Sequence, residues 1–201
     1  MRRKCGLLLI AALLVVTAGC ATNDFSAETR LALKNELNLS CETKEQCWET
    51  VLAANPKEPK FAIAVPPNFG IAFAQLARER FGSKVLITRW DGYFITRSQA
   101  INPAFAQALK YDPFIIEIAP SDPAVEQLMT AKEKTFPVPL EVRARTSFVE
   151  RTFSAQPSVS RDLLHPGLIR ALKDLSPQIF DWMEREVRQQ EKARAKPLPQ
   201  N

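Results

Sequence analysis

Few residues of this chain have the types and spacing that catalysis or metal binding requires. The one histidine, His165, would need a nucleophile and an orienting carboxylate to act as a general base. Asp162 lies nearby in sequence, but no serine is marked as a partner, and a capping or solvent-exposed histidine is favoured. The glycines are scattered, and the chain contains neither Gly-x-Ser-x-Gly nor His-Glu-x-x-His. We therefore expect no catalytic residues, no metal site and no cofactor.

Glu117 is the one charged residue within the apolar run 114–118. A carboxylate buried in such a strand would have a raised pKa and could serve in acid–base chemistry. Side chains alternate along a strand, however, so Glu117 lies on the face opposite most of the apolar side chains of that run. We therefore predict an outward-facing, ion-paired glutamate. The arginines that could face it across the sheet are Arg89, Arg97 and Arg143.

The N-terminus has the pattern of an export signal. Residues 2–4 are basic, and they are followed by an apolar run over residues 6–18 and then by Gly19 and Cys20. The run is shorter than the roughly 20 apolar residues that a membrane-spanning helix needs, but it has the length of a secretory signal peptide. Its end, residues 16–20, resembles a bacterial lipobox, in which a cysteine after small residues is diacylated and becomes the first residue of the mature chain.

The resemblance implies a signal peptide of residues 1–19 and a lipid-anchored Cys20. Two or three acyl chains hold a protein firmly at a membrane. In lipoproteins of two-membrane bacteria, an aspartate directly after the cysteine favours retention in the inner membrane. Ala21 stands at that position, so the resemblance implies the periplasmic face of the outer membrane. The alternative is a plain cleaved signal peptide in which Cys20 is incidental.

Charge and composition argue against nucleic acid as a partner. Residues 1–19 contain three basic and no acidic residues, so their removal lowers the formal net charge from +5 to +2. The remaining chain has no basic stripe, and export separates it from nucleic acid. The full chain has an apolar fraction of 46% and a charged fraction of 24%, which are those of a folded globular protein, not of a disordered or fibrous one.

Cys41 and Cys47 are the cysteines left once Cys5 is removed with the signal peptide and Cys20 carries lipid. An even pair in an oxidising compartment predicts a disulfide. Thr43 and the glutamine three residues later have the spacing of a capping box, so a helix should begin there. The disulfide would then fix the chain at the start of this helix. A redox pair and a zinc half-site are the alternatives. Catalytic thiols usually occur as Cys-x-x-Cys, however, and zinc would need two more ligands.

The rest of the chain alternates predicted strands and helices. Asp91-Gly92 between two β-rich runs predicts a hairpin, and with its neighbours it gives a β-α-β-β-α-β order over residues 61–119. We therefore predict an α+β fold with a ferredoxin-like core, one antiparallel sheet with two helices on one face. An added helix and strand should extend the sheet to five or more strands, with helical extensions at both termini.

The predicted organisation has five parts. They are the signal peptide 1–19, a lipidated helical segment with the disulfide over 20–60, the α+β domain over 61–153, C-terminal helices within 154–196 (Gly167 to Leu175, and Pro177 to about Lys192), and a disordered tail over 197–201.

These observations predict a membrane-anchored cell-envelope lipoprotein whose soluble domain binds a partner and does not catalyse a reaction. It would act as a binding or accessory component of an envelope complex, with another envelope protein as its partner. One alternative is a periplasmic module that binds a small ligand in an apolar pocket. A less favoured alternative is a cell-wall hydrolase that uses a carboxylate such as Glu117.

Overall fold

The structure is a computed structural model that describes residues 25–67, 69–90, 103–120 and 133–194. The helices are α1 (Ala27–Leu37), α2 (Lys44–Ala53), α3 (Gly70–Phe81), α4 (Pro103–Leu109) and α5 (Leu164–Arg194). The strands are β1 (Phe61–Val65), β2 (Val85–Arg89), β3 (Phe114–Ala119), β4 (Thr135–Pro137), β5 (Leu140–Arg145), β6 (Glu150–Ala155) and β7 (Ser158–Ser160). Short 3-10 helices at Gly82–Lys84 and Arg161–Leu163 precede β2 and α5.

A five-stranded mixed sheet in the order β2-β1-β3-β5-β6 organises the fold. β1 is parallel to both β2 and β3, whereas β5 is antiparallel to β3 and to β6. β1 is buried along its whole length, which agrees with its uninterrupted apolar sequence, because parallel strands are covered on both faces. The predicted α+β class, the sheet of at least five strands and the helices at both ends are therefore confirmed.

The ferredoxin-like core is not confirmed. That arrangement is wholly antiparallel, with a strand between β1 and β2, but β1 and β2 are adjacent and parallel. β3 also pairs with β1 in parallel, through Ile63 opposite Phe114. The physical reason is that each connection contains a helix, and such a crossover returns the chain to the same end of the sheet. The predicted hairpin turn Asp91-Gly92 and its second strand lie outside the described residues, as do the C-terminal tail and most of the added helix, which was expected over residues 122–134.

The two helices of this region lie on opposite faces of the sheet, not on one face as predicted. α3 packs on the face that carries Phe61, against which Phe81 forms an edge-on ring contact of 5.0 Å. α4 packs on the other face, where Ala108 meets Ala62 and Leu86. β2 and β3 lie on either side of β1, and right-handed crossovers in opposite directions place their helices on opposite faces.

One continuous helix, α5, replaces the two predicted C-terminal helices. It extends over 31 residues and contains Pro177 in its interior. Proline has no N–H to donate to the carbonyl four residues earlier, which here belongs to Lys173. The hydroxyl of the buried Ser176 donates to that carbonyl at 2.8 Å instead. The carbonyl is thus satisfied and the helix passes through the proline.

Helices α1, α3 and α5 cover the face of the sheet that carries the main core. Aromatic rings join the layers, because Phe180 of α5 contacts Phe73 and Phe81 of α3. Trp182 contacts Phe114 of β3 at 5.7 Å between ring centroids. Leu140, Val142 and Ala144 of β5 face inward and are buried, and they alternate with charged residues that are exposed or half-buried.

Candidate functional site

A turn between α1 and α2 is held by hydrogen bonds at the start of α2. Thr43 Oγ1 accepts a hydrogen bond from the amide of Gln46 at 3.2 Å, and Gln46 Oε1 accepts one from the amide of Thr43 at 3.3 Å. This is the predicted capping box. Cys41 and Cys47 lie at disulfide distance, with their Cα atoms 5.2 Å apart, and Cys47 is buried. The pairing and the helix start predicted for this segment are therefore confirmed.

α1 is fastened to α5, so the N-terminal segment is a packed part of the domain. Leu33 and Leu37 are buried against the core. The guanidinium of Arg170 donates to Glu36 Oε1 at 2.6 and 3.0 Å, and Lys173 Nζ donates to the backbone carbonyl of Glu36 at 2.7 Å. The hydrogen bond from Arg170 holds the pKa of Glu36 below its ordinary value, and the same contact raises the pKa of Arg170.

The predicted acylation site, Cys20, lies outside the described residues. Cys20 precedes Phe25, the first described residue, by five positions in the sequence. Phe25 packs against the core, with Lys44 Nζ 6.0 Å from its ring centroid. An anchor at Cys20 would therefore hold this corner of the domain close to a membrane.

The corner of the domain formed by Phe25 and the first turns of α2 lies at the end of the sheet where the parallel strand β1 finishes. The indole N–H of Trp48, in α2, donates to the carbonyl of Pro67 just beyond β1 at 3.0 Å. The opposite end of the sheet carries the turn between β5 and β6, where Ser147 contacts Asp112 directly before β3. The corner that contains Phe25 and the turn between β5 and β6 therefore lie at opposite ends of the described sheet.

His165 lies in the first turn of α5, half-buried, and its ring stacks on Phe69 with 5.7 Å between ring centroids. It is thus neither the helix cap nor the freely exposed residue that was expected. Asp162, the carboxylate nearest to it in sequence, has a side chain that is 83% exposed and pairs with Arg161 at 3.6 Å. The aromatic contact with Phe69 gives His165 a packing role at the base of the helix.

Glu117 lies on the outer face of the sheet, as predicted. Its carboxylate oxygens are 3.5 Å from Arg143 Nη1 and 3.2 Å from Arg145 Nη2. Arg143 was among the predicted partners, and Arg145 was missed. Arg143 also contacts Glu150 of β6 at 3.6 Å, so the neighbouring strands β3, β5 and β6 share one ladder of alternating charges. Cross-strand pairs of opposite charge stabilise a sheet, and this accounts for a glutamate within an apolar strand.

The tryptophans divide into two groups. Trp48 and Trp182 are buried in the core. Trp90 is half-buried directly after β2, and the guanidinium of Arg145 lies 6.0 Å from its ring centroid. Within the ranges that the structure describes, no group of three or more histidine, cysteine, aspartate or glutamate side chains is arranged to hold a metal ion.

One edge of the sheet is closed by side chains that the sequence analysis did not single out. Asn55 Nδ2 donates to the carbonyl of Ile87 in the edge strand β2, and Asn55 Oδ1 accepts from the amide of Ile87, both at 2.8 Å. Arg78 Nη1 donates to the carbonyl of Val85 at 3.0 Å, and burial lowers the pKa of Arg78. Asn55 thus takes the place of a neighbouring strand at Ile87, which protects this part of β2 from pairing with another chain.

The other edge strand of the sheet is β6, and the hairpin tip that joins β5 to β6 is formed by Thr146–Val149. Asp112 Oδ1 accepts from the amide of Ser147 at 3.1 Å and from its hydroxyl at 2.6 Å. Thr146 Oγ1 accepts from the amides of Phe148 and Val149 at 3.2 and 3.3 Å. The Phe148 side chain nevertheless is 80% exposed. A large apolar side chain is therefore presented to solvent on a well-braced turn.

No known protein-family model matches the chain, and neither a curated protein nor a solved structure matches it. Within the described ranges, none of the helices, the 31-residue α5 included, has both the length and the apolar character needed to cross a bilayer.

Proposed function

We propose that this chain is a bacterial lipoprotein, acylated at Cys20 after removal of residues 1–19. The observation that carries the proposal is the N-terminal pattern of basic residues, an apolar run and a cysteine after small residues. Ala21 in the following position supports the periplasmic face of the outer membrane. The disulfide-distance pair Cys41 and Cys47 supports the same placement, because disulfides persist in oxidising compartments such as the periplasm.

The second part of the proposal is that the domain serves as a binding or accessory component of an envelope complex. Its support is the combination of a short tether with a braced, exposed aromatic side chain. α1 is locked to α5 through Glu36, so an anchor at Cys20 positions the whole domain and not a loose arm. Phe148 lies at the end of the sheet away from that corner, where a partner has access to it.

The acylation is tested by growing cells with a radiolabelled fatty acid and comparing two cysteine variants. Label is expected in the wild-type protein and in Cys5→Ala, because Cys5 belongs to the removed segment. Label should vanish in Cys20→Ala, which should also leave the membrane fraction. Equal labelling of Cys20→Ala and the wild type would refute the proposal. Ala21→Asp is expected to move the protein from the outer to the inner membrane fraction.

The binding role is tested by cross-linking in intact cells, followed by purification through a C-terminal tag. A stoichiometric protein partner is expected with the wild type, and its recovery should fall with Cys20→Ala, because the anchor concentrates the domain at the membrane. A protein that is acylated but purifies alone under all cross-linking conditions would retain the first part of the proposal and refute the second.

A further inference from the structure

The two edge strands of the sheet, β2 and β6, differ in whether their outward backbone groups have hydrogen-bond partners. At β2, the outward backbone groups of Ile87 are both bonded to Asn55. At β6, the hairpin fixes which groups point outward. The amide of Thr146 donates to the carbonyl of Val149 at 2.8 Å, so alternate residues from there along β6 turn their backbone toward β5.

The remaining residues of β6 therefore point their N–H and C=O groups away from the sheet. These residues are Glu150, Thr152 and Ser154, and all three are exposed. Among the residues that the structure describes, none makes a hydrogen bond to these outward groups. We refer to the backbone groups of these three residues as the open edge. Native proteins usually protect such an edge, as this one protects β2, because an unpaired strand pairs readily with another chain.

The side chains along the open edge favour a particular sequence in the added strand. Arg151 and Phe153 lie on the core-facing side of β6, with the guanidinium 5.2 Å from the ring centroid. Arg151 is exposed, and no carboxylate of the described residues pairs with it. An antiparallel strand beside β6 would place one residue opposite Phe153 and, two positions later, another opposite Arg151. An apolar residue suits the first position and an acidic residue suits the second.

The hairpin tip extends this surface. Phe148 lies two residues before β6, so a strand antiparallel to β6 that continues past Arg151 approaches the hairpin tip and its exposed ring. The hydrogen bonds that Asp112 Oδ1 and Thr146 Oγ1 accept from backbone amides of the tip hold it in one conformation in the free protein. Rigid, exposed aromatic side chains are frequent centres of protein interfaces, because little conformational entropy is lost when they are covered.

We propose that the open edge and Phe148 form the docking surface of this protein, and that its occupant is an extended segment of another protein with the sequence apolar–x–acidic. The segment binds by adding a strand to the sheet. This inference rests on the proposed binding function and names the surface that performs it.

A second copy of the chain fits less well than a foreign segment. When two β6 strands pair in one continuous sheet, side chains stay on their own side of the sheet. Glu150, the acidic residue of β6, lies on the side opposite to Arg151, so it cannot meet the Arg151 of another copy. The chain's own residues 195–201 contain two prolines and no acidic residue, which does not suit strand addition.

The test places a photo-cross-linking amino acid at Thr152 in the full-length, membrane-anchored protein, and at Arg185 on the exposed side of α5 as a control. A cross-link from position 152, mapped by mass spectrometry to an apolar–x–acidic segment of another protein, is expected. Arg151→Glu in the same chain should reduce its yield by about tenfold or more, whereas the matched reversal Arg185→Glu should not. Circular dichroism of both variants checks that they remain folded.

Three results would overturn the inference. They are a cross-link from position 152 to a second copy of the chain, an adduct that Arg151→Glu leaves unchanged, and the absence of any adduct at position 152. If a partner is recovered by chemical cross-linking while position 152 remains without an adduct, the docking surface is wrong and the binding function stands. If no partner is recovered by either method, the binding function itself fails.

Discussion

Replacement of Asn55 by alanine removes the group that closes the β2 edge. The side chain makes two hydrogen bonds to the backbone of Ile87 and accepts a third from Arg78 Nη2 at 2.6 Å. Ile87 is 0% exposed, so its N–H and C=O would lose their partners in a place that water reaches poorly. An unsatisfied buried polar group costs about 1–3 kcal/mol. We therefore expect Asn55→Ala to lower the free energy of unfolding by about 2–4 kcal/mol.

Urea unfolding, followed by circular dichroism, measures the loss. With a slope of about 2 kcal/mol per M, the midpoint of Asn55→Ala should fall by about 1–2 M. Asn35→Ala is the matched control, because Asn35 is exposed on α1 and its replacement should change the midpoint by less than about 0.3 M. A loss below about 1 kcal/mol in Asn55→Ala would contradict the assignment of Asn55 as a structural substitute for a strand. The variant should also aggregate faster, because an unprotected β2 pairs with other chains.

Three further perturbations test the packing of the termini. Reduction of the Cys41–Cys47 disulfide should lower the free energy of unfolding by about 2 kcal/mol on the chain-entropy model, and thiol reagents should label the native protein only after reduction. Glu36 has a lowered folded-state pKa, so its contribution is present above the ordinary value of 4.5 and is lost as the pH falls through the folded value. Glu36→Gln should therefore flatten the acid limb of stability against pH, and because solvent screens the pair, it should cost less than about 1 kcal/mol at pH 7. Gly167→Ala should destabilise the protein by about 1–2 kcal/mol despite the better helix propensity of alanine, because the added Cβ would lie 2.5 Å from Val159 Cγ1. Urea titrations measure each change, and stabilisation by Gly167→Ala would contradict the packing at Val159.

Local features of the fold were predictable because their determinants lie within a few residues of each other. The capping box at Thr43 and the strand 61–65 depend on neighbours along the chain, and both are present. Strand pairing was not predictable in the same way. Alternation of side chains tells which face a residue occupies, but it does not tell which strand lies beside it. The parallel pairing of β1 with β3 depends on how two helical crossovers run, and no residue pattern within β1 records that.

Two further differences between the predicted and the observed structure have identifiable physical causes. Pro177 predicted a break between helices, but the hydroxyl of Ser176 satisfies the carbonyl that the proline leaves without a donor. Asn55 lies in a polar segment with two prolines, residues 55–60, whose sequence is typical of a linker. Its partner Ile87 lies 32 residues away, so the contact follows from the tertiary fold and not from any local motif.

The candidate site shows the same division. The pairing of Cys41 with Cys47 was predicted from the even number of cysteines left after export, and the outward direction of Glu117 from the alternation of side chains along a strand; both are confirmed. The exposure of Phe148 was not foreseen, because an aromatic residue between two β-rich runs usually predicts a buried position. Its exposure results from the turn at the hairpin tip, which the contact with Asp112 holds in place.

The mass of the N-terminal peptide of the protein, extracted from cell membranes with detergent, tests the central claim most directly. We predict that this peptide begins at Cys20 and carries the added mass of a diacylglyceryl group, with or without a further acyl chain. A water-soluble product with an unmodified cysteine at that position, or a chain that retains residues 1–19, would contradict the account.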